Sequence, residues 1–257
     1  MRSAPRQHHR GSLALLACVL LGARLAHADV PTPWSGWSLG GSLAVTSDYI
    51  YRGVSESDGH GAVQGDAHLG DASGNFLGVW ASSRDRSLEP DAAAVLDLYL
   101  GHRFDLSASW SLTLAGRSHY FLGASEYEPS DDYQELSATV GYLDRAAFTV
   151  TAIPNAVRYW NYTRLSRAPA YVTDGSLQYL IGHGVFLTGG AGYYYSSGTG
   201  PGTERATGYL YGNAGLAYEF AALRLDVGYF FAQQAARRSF PYPIASSRLA
   251  ATLAWRF

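Results

Sequence analysis

Strict two-residue alternation of apolar and polar side chains recurs along this chain from Trp37 to Phe257. In "WSLGGSLAVTSDYIYRG", Trp37, Leu39, Gly41, Leu43, Val45, Tyr49 and Tyr51 share one side of an extended strand, and Ser38, Ser42, Thr46, Asp48 and Arg52 the other, because successive strand side chains point to opposite faces. "SRLAATLAWRF" repeats the pattern, with Leu249, Ala251, Leu253, Trp255 and Phe257 set against Arg248, Thr252 and Arg256. Twelve such segments are expected, near 37–52, 62–70, 76–83, 94–104, 110–122, 133–142, 147–154, 170–180, 185–195, 207–220, 223–232 and 247–257. Most reach the roughly 9 to 11 residues that a tilted strand needs to cross a bilayer.

The connections separate a barrel from a soluble sandwich. They alternate long and short from "GVSESDGHG" and "DASGN" to "AA" and "QQAARRSFPYPIAS", as when turns are tight on one side of a membrane and loops free to grow on the other. Aromatics form two belts on the apolar side. Trp37, Phe104, Trp110, Tyr142, Tyr218, Phe220, Trp255 and Phe257 lie near short turns, and Tyr49, Tyr51, Tyr120, Tyr193, Tyr195, Tyr229 and Phe231 near long loops, matching interfacial girdles. The expected fold is all-β: a transmembrane antiparallel β-barrel of about 12 strands, of the outer-membrane type, spanning 29–257.

Residues 1–28 read as a signal peptide cleaved after Ala28. Arg2, Arg6 and Arg10 precede the apolar "SLALLACVLLGARLAHA", and Ala26-His27-Ala28 gives small residues at the cleavage positions. A lipoprotein cut before Cys18 is the alternative, but it would leave "VLLGARLAHA" trailing the lipid. Removing the leader takes four of the 19 basic residues and leaves 15 against 21 acids, a formal charge of −6. The single Cys goes with it, so thiolate chemistry and Cys-based metal sites are excluded from the mature chain. The acidic balance argues against nucleic acid as a partner. Every basic residue is Arg, and abundant Gly and Tyr at 29 and 19 with only 16% charged residues suit a strand-rich chain.

Function must lie on the polar face. The expected pore-lining residues are Asp48, Arg52, Gln64, Asp66, Asp97, Arg117, His119, Glu135, Asp174, Arg224 and Asp226, with His68, Arg103, Gln178, Asn213, Glu219, Arg248 and Arg256 on the same side. Such a lining fits a narrow aqueous channel whose charges set selectivity. It equally fits acids and arginines that pair across strands and plug the lumen. Catalytic readings are weaker. A lipid-facing hydrolase needs an outward His near the outer leaflet, whereas His68 and His119 point inward and His102 lies near the opposite end. A rim protease or metal loop built on Glu56, Asp58 and His60 lacks rigid support, since Gly59 and Gly61 flank the His. No enzyme activity, cofactor or metal is expected. The sequon Asn161-Tyr162-Thr163 matters only in a eukaryotic secretory route.

"SDYIYRGVSESDGHGAVQGD" resembles the N-terminal hairpin of the TorF-type porins, also described as the Gcw-type conserved outer-membrane proteins of Proteobacteria. Ser47, Asp48, Tyr49, Arg52, Gly53, Ser55, Ala62, Gln64 and Gly65 match that pattern, with Tyr51 in place of the usual Phe. Gly78, Trp80 and Ser82 of "GNFLGVWASS" and the strand "LDLYLGHRF" extend the likeness, while Val95 replaces a common acid. The resemblance is specific over the first third and architectural beyond. It implies an outer-membrane barrel with the substrate unassigned.

These readings converge on a monomeric porin of the bacterial outer membrane that passes small hydrophilic solutes or ions. Its partners would be outer-membrane lipid and lipopolysaccharide, and the barrel assembly machinery, which would read Leu253, Trp255 and Phe257. A closed structural or surface-binding barrel is the alternative, with Tyr159, Trp160, Tyr162 and Tyr242 in its contact loops.

Overall fold

Each alternating segment forms one antiparallel strand, and the strands close on themselves. The computed structural model describes residues 30–32, 36–88, 91–124, 131–160, 163–197, 207–238, 240 and 243–257; the leader expected at 1–28, Tyr162 and Tyr242 lie outside them. The barrel strands are β1 (Trp37–Thr46), β2 (Ala62–Asp71), β3 (Asn75–Ser83), β4 (Ala94–Asp105), β5 (Trp110–Leu122), β6 (Tyr133–Tyr142), β7 (Ala146–Trp160), β8 (Thr163–Gly182), β9 (Val185–Ser196), β10 (Thr207–Phe220), β11 (Leu223–Ala232) and β12 (Arg248–Arg256). Neighbours in sequence pair throughout, and β12 returns to pair with β1, from Arg256 opposite Ser42 to Thr252 opposite Thr46. The ring has no free edge.

Phe257 extends the closing seam through two backbone hydrogen bonds with Gly41. A Cβ on Gly41 would fall 2.5 Å from the Asp66 carbonyl oxygen and 2.7 Å from the Phe257 ring, so only glycine fits there. Outward, Leu43, Val45, Leu98, Leu100, Leu136, Leu216, Leu225 and Leu253 are exposed and form an apolar belt. Trp110, Tyr142, Tyr218 and Trp255 flank it at the short-turn end, and Tyr193, Tyr195, Tyr229 and Phe231 at the long-loop end, all exposed.

Two expectations change. First, β1 stops at Thr46, not at Arg52. Its hydroxyl donates to the Asp48 carbonyl at 2.8 Å, and the chain turns inward. Ile50–Tyr51 then pairs with Val54–Ser55 around Arg52 and Gly53, at φ +49° and +77°, the left-handed geometry of a tight hairpin turn. Tyr49 and Tyr51 therefore leave the membrane belt and lie inside the barrel. Tyr49 packs on Trp80 with ring centroids 5.5 Å apart, and the Tyr51 hydroxyl donates to Glu135 at 3.0 Å. The alternation runs on past Thr46, but the strand that gave it meaning has ended.

Second, "NAVRYWNYTRLSRAP" is not simply a loop: β7 and β8 carry it as a paired extension up to Trp160 opposite Thr163. A register shift between Ile153 and Ala156 spans Pro154, which has no amide hydrogen to give the ladder. That bulge breaks the sequence pattern without ending the pairing.

The buried core sits inside the barrel, toward the long-loop end. Val54 of the hairpin joins Ile153, Ala156, Ala170, Val172, Tyr209, Tyr211, Ala236, Ile244 and Ala245, and a second cluster gathers Tyr49, Ala62, Trp80, Val95 and Tyr99.

Candidate functional site

The hairpin organises the lumen. Asp48 anchors its base: the carboxylate accepts hydrogen bonds from Ser55 at 2.5 Å, Ser57 at 3.0 Å and Arg248 at 2.8 Å. Main-chain bonds fix its arms, from the Ser55 amide to the Ile244 carbonyl and from the Glu56 amide to the Tyr49 carbonyl. At its tip a Cβ on Gly53 would come within 2.6 Å of the Tyr211 Cβ, so the turn touches the β10 wall and needs glycine for that approach. The adjacent Arg52 tolerates a left-handed backbone, rare for a non-glycine residue, where its side chain is held on both sides.

That hold is a buried ion pair. The Arg52 guanidinium donates to both Glu135 oxygens, at 2.7 and 3.1 Å, with each side chain 9% exposed. Glu135 lies 3.5 Å from His119 Nε2, whose Nδ1 is 2.7 Å from Asp97, and Asp97 accepts from Arg117 at 3.1 Å. Arg52, Glu135, His119, Asp97 and Arg117 thus form one run of neighbouring acidic and basic side chains along the β4–β6 wall. His119 is further fixed by stacking on Tyr133, centroids 4.3 Å apart.

The other expected lining residues fall into separate groups. Asp66 binds His68 and the Tyr99 hydroxyl, each at 2.7 Å. Gln64 reaches Ser82 at 3.4 Å. Asp174 accepts the Tyr211 hydroxyl. Toward the short-turn end Arg224 is fully buried, donating to Asp226 at 2.8 Å and Glu219 at 2.7 Å, with Arg256 joining Glu219 at 3.3 Å. The lumen is charged but its charges are mostly matched.

Two cavities flank the hairpin. One, about 80 Å³, lies between Asp48–Ile50 and the inner wall, against Ser42, Ala44, Thr46 and Gln64 of β1 and β2, Ala250, Thr252 and Ala254 of β12, and Trp80 and Phe230 of β3 and β11. The other, about 110 Å³, lies on the opposite side near the long-loop mouth, lined by Arg52, Glu56, Arg84 and Asp131, by Val54, Ile153 and Val157, and by a set of aromatic rings.

Of the loop residues weighed as a protease or metal site, Glu56 and His60 are engaged otherwise. Glu56 pairs with Arg84 at 2.7 Å, and His60 lies 3.0 Å from Asp85, whose carboxyl is held below its usual range by hydrogen bonding to Ser87. His102 lies 2.8 Å from Asn75 and packs on Phe104. Among the described residues no group of three or more His, Cys, Asp or Glu is placed to hold a metal ion. Sequence reasoning missed the inward tyrosines Tyr133, Tyr194, Tyr209 and Tyr211. For the last three the signal was an aromatic on the polar face of "GYYYSS" and "TGYLYGN".

A closed twelve-strand antiparallel wall with an apolar outer belt and a charged interior defines a β-barrel of the outer-membrane porin fold. Residues 31–199 match the model of the Gcw_chp family, described as bacterial proteins of unknown function, and the chain belongs to that family. In structure it is similar to the NanC porin, at 11% identity over 84% of this chain and 98% of that one, with a TM-score of 0.53. A second membrane protein, solved in work on in-meso crystallization, matches at 10% identity over 85% and 83% of the two chains, with a TM-score of 0.51. No curated protein sequence matches the chain. Identities this low express a shared fold.

Proposed function

We propose that the protein is a monomeric bacterial outer-membrane porin, of the TorF type its Ser47–Gly65 motif resembles, in which the inward hairpin narrows the path for small hydrophilic solutes. The observation that carries this reading is the cavity of about 80 Å³ beside the hairpin. A lumen packed only for stability would leave no such space, since interiors tolerate few voids above the size of a water molecule. Small and polar residues of β12, β1 and β2 line one part of it and Tyr49, Trp80 and Phe230 another, and the space holds a few waters. The apolar belt supports a position among outer-membrane lipid and lipopolysaccharide. Leu253 and Trp255 on the exposed side of β12, with Phe257 in the seam, support a last-strand signal for the assembly machinery.

Planar-bilayer conductance of the refolded mature chain tests the reading. Small discrete openings are expected, with steps several-fold larger when Asp48–Ser57 is replaced by a short Gly-Ser linker. Silence of the wild-type barrel would favour the second reading, a closed structural barrel. The observations on that side are the doubly bonded Arg52–Glu135 pair and the apolar cluster at the mouth.

A further inference from the structure

We propose that the path beside the hairpin prefers small cations, and that Asp226 sets this preference. The proposal deepens the porin reading by naming a solute class, and it rests on that reading.

The charges that border the cavity of about 80 Å³ are of one sign. Among the described residues its lining holds two charged side chains, Asp48 and Asp226, and no Arg or His. Their arginine partners lie outside the lining and are fully engaged. Arg248 bonds Asp48 through Nη1 and gives Nε to the Ser246 carbonyl and Nη2 to the Pro243 carbonyl. Arg224 gives Nε and Nη2 to Asp226 and Nη1 to Glu219.

Exposure separates the two members of the lower pair. The Arg224 side chain is 1% exposed and that of Asp226 is 17% exposed. The pair is neutral in sum, yet a solute in the cavity can touch the carboxylate and not the guanidinium. Because Coulombic energy falls with distance, the nearer charge dominates. Glu219 and Arg256, toward the short-turn end, lean the same way at 20% and 10%.

The hydroxyl groups of the lining add a second, independent bias. Thr252 donates to Thr46 at 2.8 Å, and Thr46 donates to the Asp48 carbonyl at 2.8 Å. A hydroxyl has one proton to give, so both threonines are left with lone pairs alone. A partly dehydrated alkali cation or a small ammonium ion needs such oxygens beside a reachable carboxylate. An anion needs N–H or O–H donors, and here the guanidiniums are sealed or taken.

The test is the reversal potential of the refolded mature chain in planar bilayers under a KCl gradient. The gradient is set near about 1 M salt, where a Debye length of about 3 Å screens charges outside the path. K⁺ is expected to permeate about fivefold more readily than Cl⁻, and methylammonium more readily than acetate. Asp226→Asn keeps an acceptor beside Arg224 and removes the charge, so the K⁺/Cl⁻ ratio should fall to within about twofold of unity, while Asp226→Glu should retain the preference. Gln64→Arg serves as a second variant should Asp226→Asn fail to fold, judged by heat-modifiable migration. A guanidinium set into the same lining should bring the ratio below unity. Equal permeation or a Cl⁻ preference in the wild type overturns the proposal, as does an unchanged ratio in either folded variant. A barrel that conducts without favouring cations sinks this inference alone, and a silent one sinks the porin reading and this inference with it.

Discussion

From β4 to β6 the inner wall carries Asp97, Arg117, His119 and Glu135, joined to one another and to Arg52 of the hairpin. From β12 through β1 to β2 it carries Ala250, Thr252, Ala254, Ser42, Ala44, Thr46 and Gln64, and beside them lies the cavity of about 80 Å³. The first wall clamps the hairpin at Arg52 and the second anchors its base through Arg248, and a cavity lies on either side of it.

Glu135→Ala should break this contrast most strongly. It strands the buried Arg52 guanidinium, and removing one partner of a buried pair costs about 3–5 kcal/mol. The expected result is a several-fold larger conductance step and new protease cleavage between Asp48 and His60. Adding Arg52→Ala should cost less than the sum of the two single changes, because both disrupt one interaction. Equal conductance in Glu135→Ala and wild type would remove the ion pair as the hairpin's clamp.

Asp48→Asn tests the base of the hairpin. It keeps an acceptor for Ser55 and Ser57 but loses the charge facing Arg248, worth about 1.5–3 kcal/mol for a charged hydrogen bond. Faster hydrogen exchange at the Tyr49 and Glu56 amides is expected, with the barrel intact. On the opposite wall, Ala44→Leu should roughly halve the conductance step while changing stability by less than about 3 kcal/mol, the usual range for overpacking. An unchanged step would move the path off that wall.

The smallest effect is expected from Arg117→Ala, which removes positive charge from the lumen without touching the hairpin directly. Reversal potentials in a salt gradient should shift toward cations by on the order of a few millivolts. A shift as large as that of Arg52→Ala would mean that the charged wall itself borders the path.

The strands were legible because each shows one apolar and one polar side, and their closure because long and short connections alternate. The hairpin was not, since Tyr49 and Tyr51 continue the phase of β1 after the strand has ended at Thr46. Its clamp was equally hidden. Arg52 and Glu135 are 83 residues apart, and the pairing of one arginine with one of several lumen acids depends on where the turn folds. Asp48 and Arg248, 200 apart, pose the same difficulty. The motif from Ser47 to Gly65 nonetheless marked the right segment: Asp48 is its anchor, Arg52 its clamp, and Gly53 the close approach to β10.

The hairpin lies near the start of the chain, yet it depends on contacts near the end. Ser55 hooks onto Ile244, Gly53 rests against Tyr211 and Ala232, and Asp48 waits for Arg248 on β12. β12 is also the strand that meets β1 to shut the ring. The strand that shuts the wall therefore also supplies the anchor at the hairpin's base, while the clamp at its tip belongs to β6, so the hairpin ties the closing seam to the middle of the sheet.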